Sequence, residues 1–141
     1  MRLLTWNVQW CRGLDGVVDP ARIAREARRL ADPDVLCLQE VSVGFISLPG
    51  SHGENQVDAL RSALPGYQVF YAAAVDVPRA ALEAVIEAPF GPLRIVTTHL
   101  EYFSSGHRAA QIERLRELHS ETNLETVAEE DEGPYRPFAH P

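Results

Sequence analysis

The sequence has 141 residues, of which 45% are hydrophobic, with 13 basic residues against 20 acidic ones and a net charge of −7. This length and composition fit one soluble domain with its own core, and they exclude disordered, fibrous and disulfide-built classes. Because six acidic residues and one arginine fall within residues 120–141, the rest of the chain is nearly neutral, and it lacks the basic patch typical of sequence-independent binding to nucleic acid.

A strand–helix–strand unit is predicted at the start of the chain. Residues 3–8 form a short apolar run that is typical of a buried strand. Pro20, preceded by Asp19 as N-cap, begins a helix with four outward-facing arginines. Residues 35–38 are apolar throughout, which predicts a strand buried on both faces. These elements predict a βαβ unit. The buried stripe expected for the helix is Ile23, Ala27 and Leu30.

A short helix and three strands are predicted next, after a loop over residues 44–56. The helix has one apolar face and ends at Pro65. Strands are predicted over residues 67–74, 80–86 and 93–100, and the last two form a hairpin. The apolar face of the helix consists of Val57, Leu60 and Leu64.

A last helix is predicted from Ser104 or Ser105 to about His119. Residues 120–141 are acidic, contain three prolines and show little periodicity, so we expect an irregular or partly disordered segment there. The chain is therefore divided into a domain over residues 1–119 and an acidic C-terminal segment. The buried stripe expected for the last helix is Ala109, Ile112 and Leu115.

Neither a signal peptide nor a membrane anchor is predicted. Polar Asn7, Gln9 and Arg12 interrupt the N-terminal apolar residues too early for a signal peptide, and no apolar run approaches the roughly 18 residues of a membrane span. We therefore expect a cytoplasmic protein. Cys11 and Cys37 have no His or Cys nearby at the spacing of a metal clip, and we expect packed, reduced thiols.

Three polar residues, Asn7, Glu40 and His99, each follow an apolar strand. Ligands of layered α/β proteins bind at the carboxyl ends of strands, because helices cover the faces of the sheet. A carboxylate and a carboxamide oxygen suit Mg²⁺ beside water and a phosphate oxygen, and an imidazole can donate to a phosphoryl oxygen or move a proton. Taken singly, each residue also fits a loop residue or strand cap, and His99 also fits a packed histidine.

Three segments of the sequence read LTWNV (residues 4–8), DVLCLQEV (34–41) and IVTTHL (95–100). They occur in the order and rough spacing of the endonuclease/exonuclease/phosphatase superfamily and resemble its N-terminal half. The resemblance implies an α/β (α+β) fold of the four-layer sandwich type, and hydrolysis of phosphoester bonds by water that attacks a metal-polarised phosphoryl group. The implied metal is Mg²⁺, with Mn²⁺ as an alternative. The implied substrate is a nucleic acid, a nucleotide or a lipid head group.

Carried onto the matching positions, the resemblance implies that Asn7 and Glu40 belong to the metal site. It implies that His99 contacts the scissile phosphate. Arg79 resembles a family arginine that touches phosphate, and a solvated arginine at a strand end is the alternative. Gln39 is expected to support Glu40 rather than to react.

Two further residues match a pattern in the helix that follows the histidine strand. Arg108 and Gln111 form the Arg-x-x-Gln pattern that opens this helix in the family. We take them as evidence of position and as candidates for supporting the site residues.

Part of the family's catalytic pattern is absent from the sequence. No Ser-Asp-His occurs, although in the family its Asp and His orient and activate the attacking water. The family's Gly-Asp-x-Asn strand end has a faint counterpart, with Glu121 in the Asp position and Asn123 as a transition-state ligand. A Gly-Asn-containing strand is also missing before Arg79. We therefore expect an incomplete sandwich.

Two functions from different classes stay open. One is a metal-dependent phosphoesterase, with Glu40, His99 and Asn123 as its catalytic residues. The other is a catalytically degenerate binding or interaction module that keeps the fold. The response to Mg²⁺ separates them, because a metal held by Asn7 and Glu40 would stabilise the folded chain. The oligomeric state is left open.

Overall fold

The computed structural model describes residues 1–72 and 81–128, with the backbone alone for residues 122–128. Within these ranges the chain forms two compact units, the first over residues 1–72 and 81–99 and the second over residues 100–128. The elements are β1 (Leu3–Asn7), α1 (Pro20–Leu30), β2 (Val35–Gln39), α2 (Gln56–Ala63), β3 (Ala81–Ala88), β4 (Gly91–Thr98) and α3 (Ser105–Ala128).

The predicted βαβ unit is confirmed. β1 and β2 pair in parallel, with a register that runs from Leu3 opposite Val35 to Asn7 opposite Gln39, and α1 connects them. The Asp19 carboxylate accepts the Arg22 backbone N–H at 2.9 Å and caps α1 as predicted. Parallel pairing brings the carboxyl ends of both strands to the same edge.

Full burial of the two strands was the wrong expectation. Alternate residues of β1, including Leu3, are exposed, and Cys37 is the one residue of β2 that is buried. Successive side chains of a strand point to opposite faces: Trp6 and Leu38 pack against the core cluster, and Cys37 is buried on the opposite face of β2. The core cluster consists of Val8, Cys11, Ile23 and Leu60, with Trp6, Val18, Leu38 and Val41 packed against it.

The two short helices of the first unit contribute to this core as the apolar pattern predicts, with one exception. Ile23 and Ala27 of α1 are buried, whereas Leu30 is 61% exposed. Leu30 is the last residue of α1, and the buried stripe ends one turn before it. The predicted face of α2 is confirmed, because Val57, Leu60 and Leu64 are all buried.

The two cysteines are free and buried, as expected for packed thiols. Desolvation raises the pKa of Cys11 to about 12, and nearby Glu54 and Asp19 add to the rise. Desolvation also raises the pKa of Cys37. Both side chains therefore stay as neutral thiols at neutral pH, which leaves them unreactive.

Gln56 joins the loops that follow β1 and β2. Its side chain is fully buried. The carbonyl oxygen Oε1 accepts the Ser42 backbone N–H at 2.9 Å, and Nε2 donates to the Trp10 carbonyl at 2.7 Å. Nε2 also donates to the Glu54 carboxylate at 2.8 Å. One carboxamide therefore holds both loops at the edge where β1 and β2 end.

The predicted hairpin is confirmed. β3 and β4 pair antiparallel from Ala81 opposite Thr98 to Ala88 opposite Gly91, across the two-residue turn 89–90. Gly91 has a φ of 113°, a conformation that suits glycine. The strand predicted over residues 67–74 is wrong for residues 67–72, which form no described ladder; a strand requires a partner for its backbone groups.

The helix α3 of the second unit differs from the prediction in length. The Ser104 hydroxyl accepts the His107 N–H at 3.2 Å and caps the helix as expected, but α3 continues to Ala128. Residues 120–128 are therefore helical rather than irregular. Ion pairs from Arg114 to Glu117 and to Glu121 follow helical spacing and support this extension. The division of the chain after residue 119 stays a prediction.

The buried stripe predicted for α3 is also wrong. Ala109 and Ile112 are exposed, whereas Gln111 is buried. Polar bonding decides this face: Gln111 Oε1 accepts the Glu101 N–H at 2.7 Å, and the Arg108 guanidinium donates to the Glu101 carbonyl at 2.9 Å. None of the described helices has the length and hydropathy needed to cross a bilayer.

We predict that Gln56→Leu lowers the free energy of unfolding by about 2 kcal/mol or more, because it leaves the Ser42 N–H and the Trp10 carbonyl without their partner. Urea denaturation measures the change. Gln68→Leu makes the same chemical change at an exposed position, and we expect an effect within about 0.5 kcal/mol. Equal effects of the two substitutions would contradict the role of Gln56.

We also predict a loss of stability in acid that depends on Glu54. Hydrogen bonds from Gln56 and the His52 N–H lower the pKa of Glu54 from 4.5 to about 2. A carboxyl whose pKa is lower in the folded chain stabilises it above the unfolded value, and this contribution is lost as the pH falls from 4.5 towards 2. Urea denaturation across this range should show a smaller loss in Glu54→Gln than in the parent. Glu113→Gln controls for the change in net charge, and parallel curves for parent and Glu54→Gln would refute this prediction.

Candidate functional site

Asn7, Glu40 and His99 lie together in the first unit. Asn7 ends β1, Glu40 directly follows β2, and His99 directly follows β4. Glu40 Oε1 accepts a hydrogen bond from Asn7 Nδ2 at 2.9 Å and lies 3.6 Å from His99 Nδ1. The side chains of Asn7 and His99 therefore both lie next to the same carboxylate oxygen of Glu40.

The backbone of Glu40 determines where its side chain points. In a regular strand, Glu40 would point to the face opposite that of Gln39 and its neighbour in register, Asn7. Glu40 instead has a φ of 58°, in the left-handed region, which costs a non-glycine residue roughly 1–3 kcal/mol. The Trp10 N–H donates to the Glu40 carbonyl at 2.8 Å and stabilises this turn. The turn allows the carboxylate to reach Asn7.

The loop after β1 contains three consecutive left-handed residues. Gln9, Trp10 and Cys11 have φ values of 44°, 45° and 58°. The Gln9 N–H donates to Asn7 Oδ1 at 3.0 Å, and the Trp10 indole donates to the Pro49 carbonyl at 3.0 Å. Strained backbone of this kind clusters at functional sites and persists only where surrounding bonds stabilise it. Here the Gln9 N–H holds the oxygen of the Asn7 side chain, and Glu40 accepts from its nitrogen.

The site is open to solvent. The Glu40 side chain is 34% exposed and the His99 side chain is 45% exposed, so an incoming ligand can reach both. At 3.6 Å the carboxylate and imidazole attract each other as an ion pair when the imidazole is protonated. The pair can therefore offer a negative oxygen and an N–H donor to one ligand.

The donor set suits an open Mg²⁺ site better than a closed protein cage. No group of three or more His, Cys, Asp or Glu side chains in the described parts of the chain is arranged to hold a metal ion. Mg²⁺ commonly takes one or two protein carboxylates and completes its octahedron with water and substrate phosphate. Glu40 can supply such a carboxylate. In the observed orientation the amide nitrogen of Asn7 faces Glu40, so its oxygen would reach a metal only if the carboxamide turned and released the Gln9 N–H.

The remaining predicted site residues either lie outside the described residues or belong to the second unit. Arg79 lies outside the described residues. Asn123 lies within α3, whereas the family pattern has its asparagine at a strand end, and its side chain is not among those described. Glu121 bonds to Arg114 at 3.0 Å on the same helix. Arg108 and Gln111 bind the backbone of residues 101–102 within the second unit.

Two features of the site have no clear signal in the sequence. The first is the left-handed backbone of Glu40 and of the loop after β1, where the residues are not glycines. The second is Gln39, whose amide bonds to threonines on two other strands. The sequence shows that Gln39 is a polar residue at the end of an apolar strand, but this pattern does not indicate which residues its amide binds.

A model of the Endonuclease/Exonuclease/phosphatase family matches residues 4–110. This range extends from β1 into α3 and contains Asn7, Glu40 and His99. No curated protein and no solved structure matches the chain.

We predict that Mg²⁺ raises the melting temperature of the parent chain and leaves that of Glu40→Gln unchanged. Binding to the folded state alone at ten times the Kd would add about 1.4 kcal/mol to the free energy of unfolding. Glu40→Gln keeps an oxygen that can accept from Asn7 but removes the negative charge. Glu26→Gln on α1 is the control and should respond to Mg²⁺ like the parent. Calorimetry with Mg²⁺ and with EDTA measures the shift; a parent without any shift would exclude a metal site at Glu40.

Proposed function

The chain belongs to the Endonuclease/Exonuclease/phosphatase family, and from this membership we propose that it is a Mg²⁺-dependent hydrolase of phosphoester bonds. The family consists generally of hydrolytic phosphoesterases. The observation that carries the proposal is the meeting of Asn7, Glu40 and His99 around one carboxylate oxygen. These are the positions at which the resemblance implies the metal and phosphate contacts.

Glu40 is the residue that holds the metal in this proposal. Its carboxylate is exposed at the carboxyl ends of β1 and β2 and is oriented by Asn7. Bound there, Mg²⁺ or Mn²⁺ would neutralise negative charge on the phosphoryl oxygens and polarise the phosphorus. Asn7 orients Glu40 in the observed geometry, and it becomes a second oxygen ligand if its carboxamide turns.

His99 contacts the phosphate in this proposal. Its imidazole lies beside Glu40, so a phosphate bound at the carboxylate through a cation would also lie within reach of the ring. A ring N–H can donate a hydrogen bond to a phosphoryl oxygen, where charge develops during the reaction. Water adds to the phosphorus as the ester P–O bond breaks, and the departing oxygen takes up a proton. Arg79 as a further phosphate contact and Asn123 as a transition-state ligand stay predictions.

The proposed fold is the four-layer sandwich of the family, of which the two described sheets would form part. The described sheets have two strands each. Among substrates, the near-neutral body of residues 1–119 favours a nucleotide, a lipid head group or another small phosphate ester over bulk DNA. A cytoplasmic location also stays a prediction.

A catalytically degenerate binding module is the second candidate. The absence of a Ser-Asp-His from these 141 residues favours it, because that motif orients and activates the attacking water in the family. Loss of a general base commonly lowers a rate by about 10²- to 10⁴-fold. Such a module would keep Glu40 and its response to metal but would not turn over substrate.

We predict that the purified chain hydrolyses bis(p-nitrophenyl) phosphate or p-nitrophenyl phosphate with Mg²⁺ or Mn²⁺ and not with EDTA. Glu40→Gln and His99→Gln should each lower kcat/KM by at least about 100-fold, since each removes a group that contacts the metal or the phosphate. Glu26→Gln is the matched control and should keep the parent rate. Release of p-nitrophenolate measures turnover.

The controls separate the two functions. Metal-dependent turnover that disappears in Glu40→Gln supports the phosphoesterase. Stabilisation of the parent by Mg²⁺ without turnover of either ester favours the binding module. Turnover that persists in EDTA and in Glu40→Gln would contradict the proposed site.

A further inference from the structure

Gln39 makes hydrogen bonds that join three strands. It is the last residue of β2, and its Nε2 donates to Thr5 Oγ1 on β1 and to Thr97 Oγ1 on β4, both at 3.0 Å. A longer contact of 3.3 Å runs to the carbonyl of Cys37. A carboxamide has two N–H protons, and the two shorter bonds to the threonines account for both of them.

Each strand joined by Gln39 carries one residue of the site. Thr5 lies two residues before Asn7, Thr97 lies two residues before His99, and Gln39 directly precedes Glu40. Residues two apart on a strand share a face, so Thr5 lies on the same face of β1 as Asn7. Thr97 is the last residue but one of β4, and His99 directly follows that strand. The amide of Gln39 therefore connects the three strands one layer below the site.

The hydrogen bond from Gln39 to Thr97 joins the two strand pairs of the first unit. Backbone ladders join β1 to β2 and β3 to β4, but none joins β2 to β4 in the described residues. The spacing of Glu40 from His99 therefore depends on side-chain contacts between the two strand pairs. The hydrogen bond from Gln39 to Thr97 is such a contact.

We propose that Gln39 is a positioning residue that sets the distance between Glu40 and His99 by bonding to Thr97. The contribution of Gln39 to catalysis rests on the proposed function, because in that function Glu40 and His99 act on the same phosphate. The effect of Gln39 on the distance between Glu40 and His99 does not depend on whether the chain is active. Small displacements of a reacting group from its productive position have large effects on rate.

The test of geometry uses NMR of the His99 ring in the full chain, without metal or substrate and at one fixed pH. Glu40→Gln in the parent should displace the His99 ring resonances, which are assigned by their loss in His99→Gln. The same substitution is then made in three backgrounds: Gln39→Met, Thr97→Val and Thr5→Val. We expect a much smaller displacement in Gln39→Met and Thr97→Val, and the parent displacement in Thr5→Val, which leaves the bond to β4 intact.

Thr97→Ser is the conservative variant and should restore the parent displacement, because it keeps the hydroxyl that Gln39 needs. If Gln39→Met does not fold, the comparison of Thr97→Val with Thr97→Ser and Thr5→Val carries the test. Equal displacements in all backgrounds would overturn the proposal. So would an equal loss in Thr5→Val and Thr97→Val, since general loosening of the strands would then explain both.

Enzyme kinetics provide an independent test of the same variants. Where the parent hydrolyses a phosphoester, Gln39→Met and Thr97→Val should lower kcat by about 10- to 100-fold with a smaller change in KM, and Thr97→Ser should keep the parent kcat. A rise in KM with an unchanged kcat would argue against positioning of the reacting groups. A parent that hydrolyses neither test ester refutes the proposed function, while the NMR comparison still decides the role of Gln39.

Discussion

The parallel pairing of β1 with β2 is the constraint on which the rest of the site depends. Its register places Asn7 beside Gln39, so the residue after Gln39 leaves the sheet next to the Asn7 side chain. Glu40 then needs a single left-handed residue to bring its carboxylate to the Asn7 amide at 2.9 Å. A shift of one residue in this register would send Asn7 and Gln39 to different faces, and the shared oxygen would be lost.

Two polar side chains, the buried Gln56 and the half-buried Gln39, maintain this arrangement. Gln56 connects the loops after β1 and β2, and Gln39 connects β1 and β2 to β4. Both are carboxamides whose N–H protons each have an acceptor, which offsets the cost of removing them from water. Left-handed backbone at Gln9, Trp10, Cys11 and Glu40 adds strain, and the bonds of these loops stabilise it. The first unit thus combines a small apolar core with polar links near the site.

The geometry of the site and the family membership independently favour phosphoester chemistry. An exposed carboxylate beside an imidazole suits a cation and a phosphoryl group, and the family is one of phosphoester hydrolases. The sequence lacks the Ser-Asp-His that activates water in that family. In the proposed function, Glu40 and His99 would bind and polarise a phosphate, and turnover would depend on how the attacking water is deprotonated.

Local pattern by itself determined much of this protein. The βαβ unit, the caps at Asp19 and Ser104, the hairpin and the apolar face of α2 follow from periodicity and turn residues, which act over a few neighbouring positions. The placement of Asn7, Glu40 and His99 after strands was likewise visible in the sequence. Local rules were insufficient for the faces of Leu30 and Ile112, because burial depends on what packs against a helix and on competing polar bonds.

Only the tertiary structure decided how these three residues meet. The left-handed turn at Glu40 is stabilised by the backbone of Trp10, 30 positions away along the chain, and no property of glutamate predicts it. Gln39 reaches Thr97, 58 positions away, because folding places β4 beside the end of β2. Sequence determined which chemical groups stand at the ends of the strands, whereas long-range hydrogen bonds determined their distances, since those bonds form only between residues that the fold has brought together.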